Sequence, residues 1–402
     1  MNPIPYGKQH ITPEDIQAVV ETLQSEFLTQ GPKIKEFEEA FAKYIGVRYA
    51  VAVANGTAAL HLCTLALSVK PGQKVITTPI TFAASANCVR YCGGEVVFAD
   101  INPETYLIDI NKVRKLLEDA PKGTYQGLIP VDFAGRAVNL EEFRQVADEY
   151  GLWIIEDACH APGGYFIDSK GQQQNCGNGN FADLAIFSFH PVKHIACGEG
   201  GMITTNDEKL YRKLLTLRTH GITRETSSFT NTLDFAIGNA KEATHQQPAT
   251  SYPMWYMEMQ ELGFNYRLTD FQAALGLSQL KRADAGIERR RAIAKKYQDA
   301  FSNKSFVKGQ SGNIEGHAYH LYVIQVENRL GLYQHLRSKN IFAQIHYIPV
   351  HLMPYYRSLG NKEGSQSHAE KYYQHCLSLP MYPSLSESDL NYVIKTIADY
   401  FE

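Results

Sequence analysis

The sequence predicts an α/β fold: a large domain on a mostly parallel sheet, then a small α+β C-terminal domain. Over roughly the first 250 residues, short continuous apolar runs alternate with amphipathic stretches, the pattern of strands buried on both faces with helices between them. Beyond Phe301 the pattern changes to short strands mixed with helices. A chain of 402 residues accommodates two such units. The expected division is 1–268, an N-terminal segment and the large domain, and 269–402, a connecting helix and the small domain.

Taken in order, Tyr49–Ala54 (YAVAVA) reads as a buried strand and Thr57–Leu67 as the helix after it. Lys74–Thr78 (KVITT), a helix near Phe82–Tyr91 and the strand Glu95–Ala99 follow. Further strands are expected at Gly127–Asp132, Trp153–Asp157, Ala185–Phe189 and Met202–Thr205, with a helix over Leu140–Tyr150. Thr269 to Phe301 is proline-free and rich in Ala, Leu, Arg and Lys, which predicts one long connecting helix. Tyr319–Val326 and Phe342–Tyr347 read as strands, with helices at Leu332–Lys339, His368–Leu377 and Glu387–Tyr400. Thr226–Glu261 lacks periodicity and reads as a long loop or insertion against a site or a subunit face.

Composition excludes several classes. Net charge is −3, with no run of Lys or Arg, so neither nucleic acid nor an anionic membrane is an expected partner. No window reaches the roughly 18 consecutive apolar residues of a membrane span, and MNPIPYGKQHITPEDI has no apolar stretch of signal-peptide length. Seven cysteines, an odd number, fit a reduced cytoplasmic protein better than a disulfide framework. Cys88 and Cys92 lie four apart on an expected helix, but no matching ligand pair lies nearby, so they read as packing residues. The pairs His317/His320 and His346/His351 lack a carboxylate or cysteine at ligand spacing, and no metal is expected.

In open parallel sheets ligands bind where strands end at their carboxyl edge. Three segments after strands therefore carry the chemistry: Asn55-Gly56-Thr57, Asp157-Ala158-Cys159-His160, and Ser188 through Lys193. A lysine just past an apolar strand is, taken alone, more often a surface residue. An aspartate closing WIIED needs a compensating cation if it is out of water, or else caps a helix. Together the two explain each other. Lys193 would carry pyridoxal phosphate (PLP) as a Schiff base, and Asp157 would face its protonated ring nitrogen. An opposite charge at about 4 Å is worth around 4 kcal/mol at an effective dielectric of 20, enough to keep the ring cationic. Gly56 and Thr57, opening a helix after a strand, offer amides and a hydroxyl to the phosphate, and Ser188 offers another hydroxyl. Phe82 is an aromatic placed to stack on the ring, and His160 would bond to Asp157 or to the cofactor's phenolic oxygen. No dinucleotide, P-loop or nucleophile-elbow motif is present.

The sequence resembles the DegT-type family of nucleotide-sugar aminotransferases, fold-type I PLP enzymes. The matching stretches are FLTQGPKIKEFEEAFAKYIGVRYAVAVANGTAALHL, TPITFAASANCV, IIEDACHAPGG, FSFHPVKHIACGEGGMITTND, LRTHGI and LGFNYRLTDFQAALGLSQL, in family order along nearly the whole chain. The resemblance implies a homodimer with sites at the interface. It implies the cofactor on Lys193, Asp157 at the ring nitrogen, Phe82 on the ring, and phosphate contacts from Gly56, Thr57 and Ser188. It further places His160 against the ring and Asn265 at the neighbouring subunit's phosphate. PYGKQHI, SEFLT, SFHPVKHI and QIHYIP are most similar to members that act in pseudaminic acid biosynthesis. Those members aminate a UDP-linked 4-keto-6-deoxy sugar from L-glutamate, passing through pyridoxamine phosphate. By that resemblance Tyr6, Glu26, Phe27, Leu28, Thr29, Gln344, Ile345, His346 and Tyr347 would touch the sugar nucleotide. Cys197, where a hydroxyl residue is expected, and Asn55-Gly56 depart from the pattern. Alternatives are an aminotransferase for another keto nucleotide sugar and a non-catalytic PLP-binding regulator. Dehydratase-type relatives carry His in place of Lys193.

Overall fold

A computed structural model describes residues 2–238, 251–310 and 314–401. Seven strands form the central sheet: β1 (Tyr49–Val53), β2 (Lys74–Thr77), β3 (Glu95–Phe98), β4 (Tyr125–Ile129), β5 (Trp153–Asp157), β6 (Leu184–Ser188) and β7 (Gly201–Thr205). Their spatial order is β1-β7-β6-β5-β4-β2-β3. Only β7 runs antiparallel to its neighbours; β2, β3, β4, β5 and β6 are mutually parallel. Since β1 opposes β7, it points the same way as β6. The carboxyl ends of β1, β2, β4, β5 and β6 therefore lie along one edge, together with the start of β7.

Both faces of the sheet are covered, as the continuous apolar runs require. Alternation along β5 sends Ile154 into one buried cluster and Ile155 into another. Helices α1 (Pro13–Leu23), α2 (Pro32–Ile45), α3 (Gly56–Ala66) and α4 (Ala84–Tyr91) precede or flank the sheet strands. Helix α1 opens on Thr12 with a capping box to Asp15 and Pro13 at its first turn, and α2 stops at Gly46 in the left-handed region (φ 84°).

The expected single helix over Thr269–Phe301 is two: α5 (Asp270–Leu280) and α6 (Ala283–Phe301). Nothing in the local sequence breaks it. The break is tertiary, since Arg282 at the junction donates to the His10 carbonyl at 2.5 Å and pairs with buried Asp15. Along α6, Ile287, Arg290, Ile293, Ala294, Tyr297 and Phe301 are buried at three- and four-residue spacing. The last four of these pack into the C-terminal core, each large apolar chain contributing about 1.5–3 kcal/mol.

C-terminal to α6, a three-stranded antiparallel sheet joins Lys308–Gly309, Tyr322–Gln325 and Cys376–Leu379. The two expected strands shrink: Tyr319–Val326 to Tyr322–Gln325, and Phe342–Tyr347 to Ile341–Phe342. The histidines of 317/320 and 346/351 accordingly sit in loops and a 3-10 turn rather than strands. Ile341–Phe342 pairs in parallel with Ile4–Pro5, so the N-terminus is fastened to the C-terminal half and Tyr6 is delivered beside His346 (ring centroids 5.0 Å).

Within Thr226–Glu261, residues 239–250 lie outside the described residues. The rest is more ordered than its sequence suggests. Glu258–Met259 pairs with Ile222–Thr223, and the buried Glu258 carboxylate accepts from the Thr230 and Asn231 amides, the Tyr256 hydroxyl and the Gln260 amide. Among the described residues no helix is long and apolar enough to cross a membrane.

Candidate active site

The strand ends along the carboxyl edge enclose a cavity of about 730 Å³. It brings together Lys193, Asp157, His160, Phe82, Gly56, Thr57 and Ser188, and with them Tyr6 from the N-terminal segment and His346 and Tyr347 from the C-terminal part of the chain.

Asp157 ends β5 and is 5% exposed. Its Oδ2 accepts from the Ser85 hydroxyl at 2.6 Å and its Oδ1 from the Cys159 amide at 3.2 Å. Lys193 lies in the turn after β6, fixed by its amide to the His190 carbonyl (2.9 Å). It is the one Lys or Arg lining the cavity among the described residues. Desolvation lowers its pKa, Cys159 and Asp157 oppose the shift, and buried Arg290 adds to it. The amine is thereby closer to the neutral, nucleophilic form than a solvated lysine.

β1 runs into Asn55, which caps α3 by accepting from the Ala58 amide at 2.8 Å. The Gly56 and Thr57 amides of the first turn have no partner within the helix and carry its positive dipole end. A Cβ at Gly56 would lie 3.1 Å from Ser188 Cβ and 3.5 Å from Cys159 Sγ, so glycine keeps this cradle open. Amides, the Thr57 and Ser188 hydroxyls, a buried carboxylate and an amine across one cavity fit a phosphorylated, ring-nitrogen-bearing aldehyde. Phe82 is 62% exposed, its ring standing in the cavity mouth 6.4 Å from that of Tyr347.

His160 has both nitrogens taken. Nδ1 accepts from the Ala134 amide at 3.2 Å, so the neutral ring carries its proton on Nε2, which donates to the Tyr347 hydroxyl at 3.2 Å. It does not bond Asp157. Burial pushes its pKa well down, with Lys193, His346 and His194 adding to the shift. His346 is likewise held down, to about 3, by burial and then Lys193.

The remaining expected residues are elsewhere. Gln344 is exposed and Ile345 packs against the apolar cores, neither lining the cavity. Glu26, Phe27, Leu28 and Thr29 are exposed beside the start of α5, where the Asp270 amide donates to the Leu28 carbonyl. Asn265 is exposed, paired by backbone with Thr219, and outside its own chain's cavity. Conversely, Ser85, Thr81, Asn55, Tyr266, Glu199 and His320 line the cavity without having been singled out as contacts. The only sequence signal for Ser85 is its place three residues after Phe82 on the same strand-to-helix junction.

The profile of the DegT/DnrJ/EryC1/StrS aminotransferase family matches residues 9–398. The spore coat polysaccharide biosynthesis protein SpsC of Bacillus subtilis is 38% identical over 98% of this chain and 96% of its own. A UDP-4-amino-4,6-dideoxy-N-acetyl-β-L-altrosamine transaminase of Campylobacter jejuni is 34% identical over 99% of this chain and 98% of its own. Helicobacter pylori PseC, an aminotransferase involved in the biosynthesis of pseudoaminic acid, superposes with a TM-score of 0.85 at 28% identity, covering 100% of this chain and 99% of its own. The PLP form of the sugar aminotransferase Spr1654 from Streptococcus pneumoniae gives 0.84 at 27%, covering 99% and 98%. The chain belongs to the DegT/DnrJ/EryC1/StrS aminotransferase family, PLP-dependent sugar aminotransferases.

Proposed function

We propose that this enzyme transfers the amino group of L-glutamate to the keto carbon of a UDP-linked 4-keto-6-deoxy sugar, UDP-2-acetamido-2,6-dideoxy-β-L-arabino-hexos-4-ulose, in pseudaminic acid biosynthesis. The observation that carries the chemistry is the single lining amine, Lys193, sharing one cavity with buried Asp157 and the open Gly56 cradle. What supports the sugar is full-length similarity to the altrosamine transaminase.

PLP supplies an electron sink for a carbanion next to nitrogen and carries the amino group between the two substrates. Lys193 Nζ would hold it between turnovers, and Asp157 would keep its ring nitrogen protonated. Gly56, Thr57, Asn55 and Ser188 would bind its phosphate, with Phe82 against its face. Freed during turnover, Lys193 Nζ takes the α-proton of glutamate and later delivers a proton to one face of the sugar carbon. Tyr6, His346 and Tyr347 form the wall facing the sugar. Asn265 and Glu26–Thr29, exposed and outside their own cavity, would serve the cavity of a second copy in a cytoplasmic homodimer.

A second reading, a keto sugar destined for another surface polysaccharide, is favoured by the 38% identity to SpsC. Glutamate added to the PLP-loaded protein should bleach its visible absorbance, and a 4-keto sugar nucleotide should restore it. Restoration by the proposed hexos-4-ulose supports the assignment. Restoration only by a different keto sugar selects the second reading, and no response to glutamate overturns the donor.

A further inference from the structure

Three carboxyl groups lie where β4 and β5 end, two of them together. Asp157 faces the cavity; Glu156, one residue earlier on the strand, faces the opposite side of the sheet. There it meets Asp132, in the turn after β4. Asp132, Glu156 and Cys176 are 0%, 2% and 1% exposed, and one carboxylate oxygen of each acid and the Cys176 sulfur lie within 4.8 Å of one another.

The outer oxygens have ordinary donors: Glu156 Oε2 accepts from the Gly177 amide at 2.9 Å and Asp132 Oδ1 from the Val138 amide at 2.8 Å. Asp132 Oδ2 has no amide or hydroxyl donor. What faces the pair is the Glu156 and Asp132 carboxyls themselves, the Cys176 and Cys159 thiols, and Asp157, none of them a cation. Two ionised carboxylates this close and this buried repel, with no cation beside them among the described residues, so one of them keeps a proton. Burial raises the pKa of both groups; the Asp132 charge adds to the shift of Glu156, and Asp157 adds to both.

The pair is wired to Asp157 through backbone. The Asp132 amide donates to the Asp157 carbonyl at 3.1 Å, and the Asp157 amide to the Pro130 carbonyl at 2.9 Å. We propose that Asp132 and Glu156 hold one proton between them and act as positioning residues for Asp157, adding one fixed negative charge behind it. The second half rests on the reading of Asp157 as the ring-nitrogen carboxylate; the first does not.

Glu156→Gln tests the shared proton. The amide carbonyl still accepts from Gly177, and the NH2 group donates to an ionised Asp132, so the pair keeps its shape and its single charge without the titrating proton. Wild type, folded, holds a proton that the unfolded chain releases above the ordinary carboxyl range of about 4. Its stability therefore falls relative to Glu156→Gln as pH rises from about 5 to 7. Melting of the cofactor-free proteins across that range should show the gap widening in favour of the variant. Parallel profiles overturn the shared proton, as does one equivalent of a bound divalent metal in purified wild type that is lost in the variant.

In the PLP-loaded enzymes, Asp132→Asn/Glu156→Gln removes the pair's charge and should move the pH midpoint of the cofactor's visible absorbance to lower pH by several tenths of a unit. Asp157→Asn, which also lets the ring nitrogen lose its proton, should move it as well. A midpoint moved by Asp157→Asn but not by the double variant overturns the positioning role. A midpoint moved by neither overturns the ring-nitrogen reading and the positioning role with it, and the melting profiles then decide the shared proton separately.

Discussion

Ser85 gives its hydroxyl proton to Asp157 Oδ2 at 2.6 Å, and Thr81 Oγ1, 2.7 Å from Ser85 Oγ, completes the relay as donor to Ser85. The carboxylate is thus held before any cofactor arrives. Hydrogen bonds to charged groups are worth about 1.5–3 kcal/mol. Ser85→Ala should lose that much stability in the cofactor-free protein and less when PLP is bound, because the ring nitrogen then gives Asp157 a second partner. Denaturant unfolding with and without PLP checks this; equal losses would mean the cofactor brings Asp157 nothing.

Lys193→Met should abolish turnover, by a factor of at least about 10³ for loss of the covalent base, while pyridoxamine phosphate still binds. It should also stabilise the cofactor-free fold at neutral pH. The pKa of Lys193 is depressed from 10.5 by desolvation, so below 10.5 the unfolded chain binds its proton more readily than the folded one. The lysine's contribution to stability accordingly rises with pH toward that value. The advantage of methionine should shrink as pH climbs and vanish near 10.5, read from melting temperatures across pH.

The parallel sheet was legible because strands buried on both faces show little polar alternation to confuse them: YAVAV and LAIF are apolar throughout, and WII is apolar up to the two carboxylates that close its strand. The same logic exposed Asp157 and the Lys193 turn, since polar residues at the end of such runs have nowhere to go but the sheet edge. The break between α5 and α6 was illegible because no glycine or proline marks it; it depends on Arg282 reaching Asp15 and His10, more than 260 residues away in sequence. Ser85 was illegible for a related reason. A serine among alanines has no period, and its role comes only from α4 starting beside the end of β5. The order around Glu258 was hidden because one buried carboxylate, not a repeating pattern, gathers the segment.

Arg290 is a fully buried cation on α6 whose Nη1 donates to the carbonyls of Tyr319 (3.1 Å), His320 (3.3 Å) and Met381 (2.9 Å). Burial lowers its pKa to about 10. It ties the connecting helix to the segment that presents His320 to the cavity. Arg290→Ala strands three carbonyls, each of which should cost about 1–3 kcal/mol. Arg290→Lys, which lacks the planar fork, should recover only part of it. Urea unfolding of the three proteins checks the order; a lysine variant as stable as wild type would show that charge alone suffices.

The neutral histidines around Lys193 set the acid limb of stability. His160 and His320 are pushed well below 6.5, and His346 to about 3, by burial first and by Lys193 next. A histidine with a depressed folded pKa leaves the unfolded chain binding more protons below 6.5, so its share of stability is present above that pH and lost as pH falls through it. Each contributes a slope of up to about 1.4 kcal/mol per pH unit. Replacing His160 with Asn, which cannot titrate here, should flatten the melting curve between about pH 6.5 and 4.5 by one proton's worth. Tyr347→Phe instead leaves the titration in place and removes the acceptor of the Nε2 proton, so it should lower stability by about 1–3 kcal/mol nearly evenly from pH 7 to 8. The two variants thus separate the charge on His160 from its hydrogen bond: one changes a slope, the other an offset.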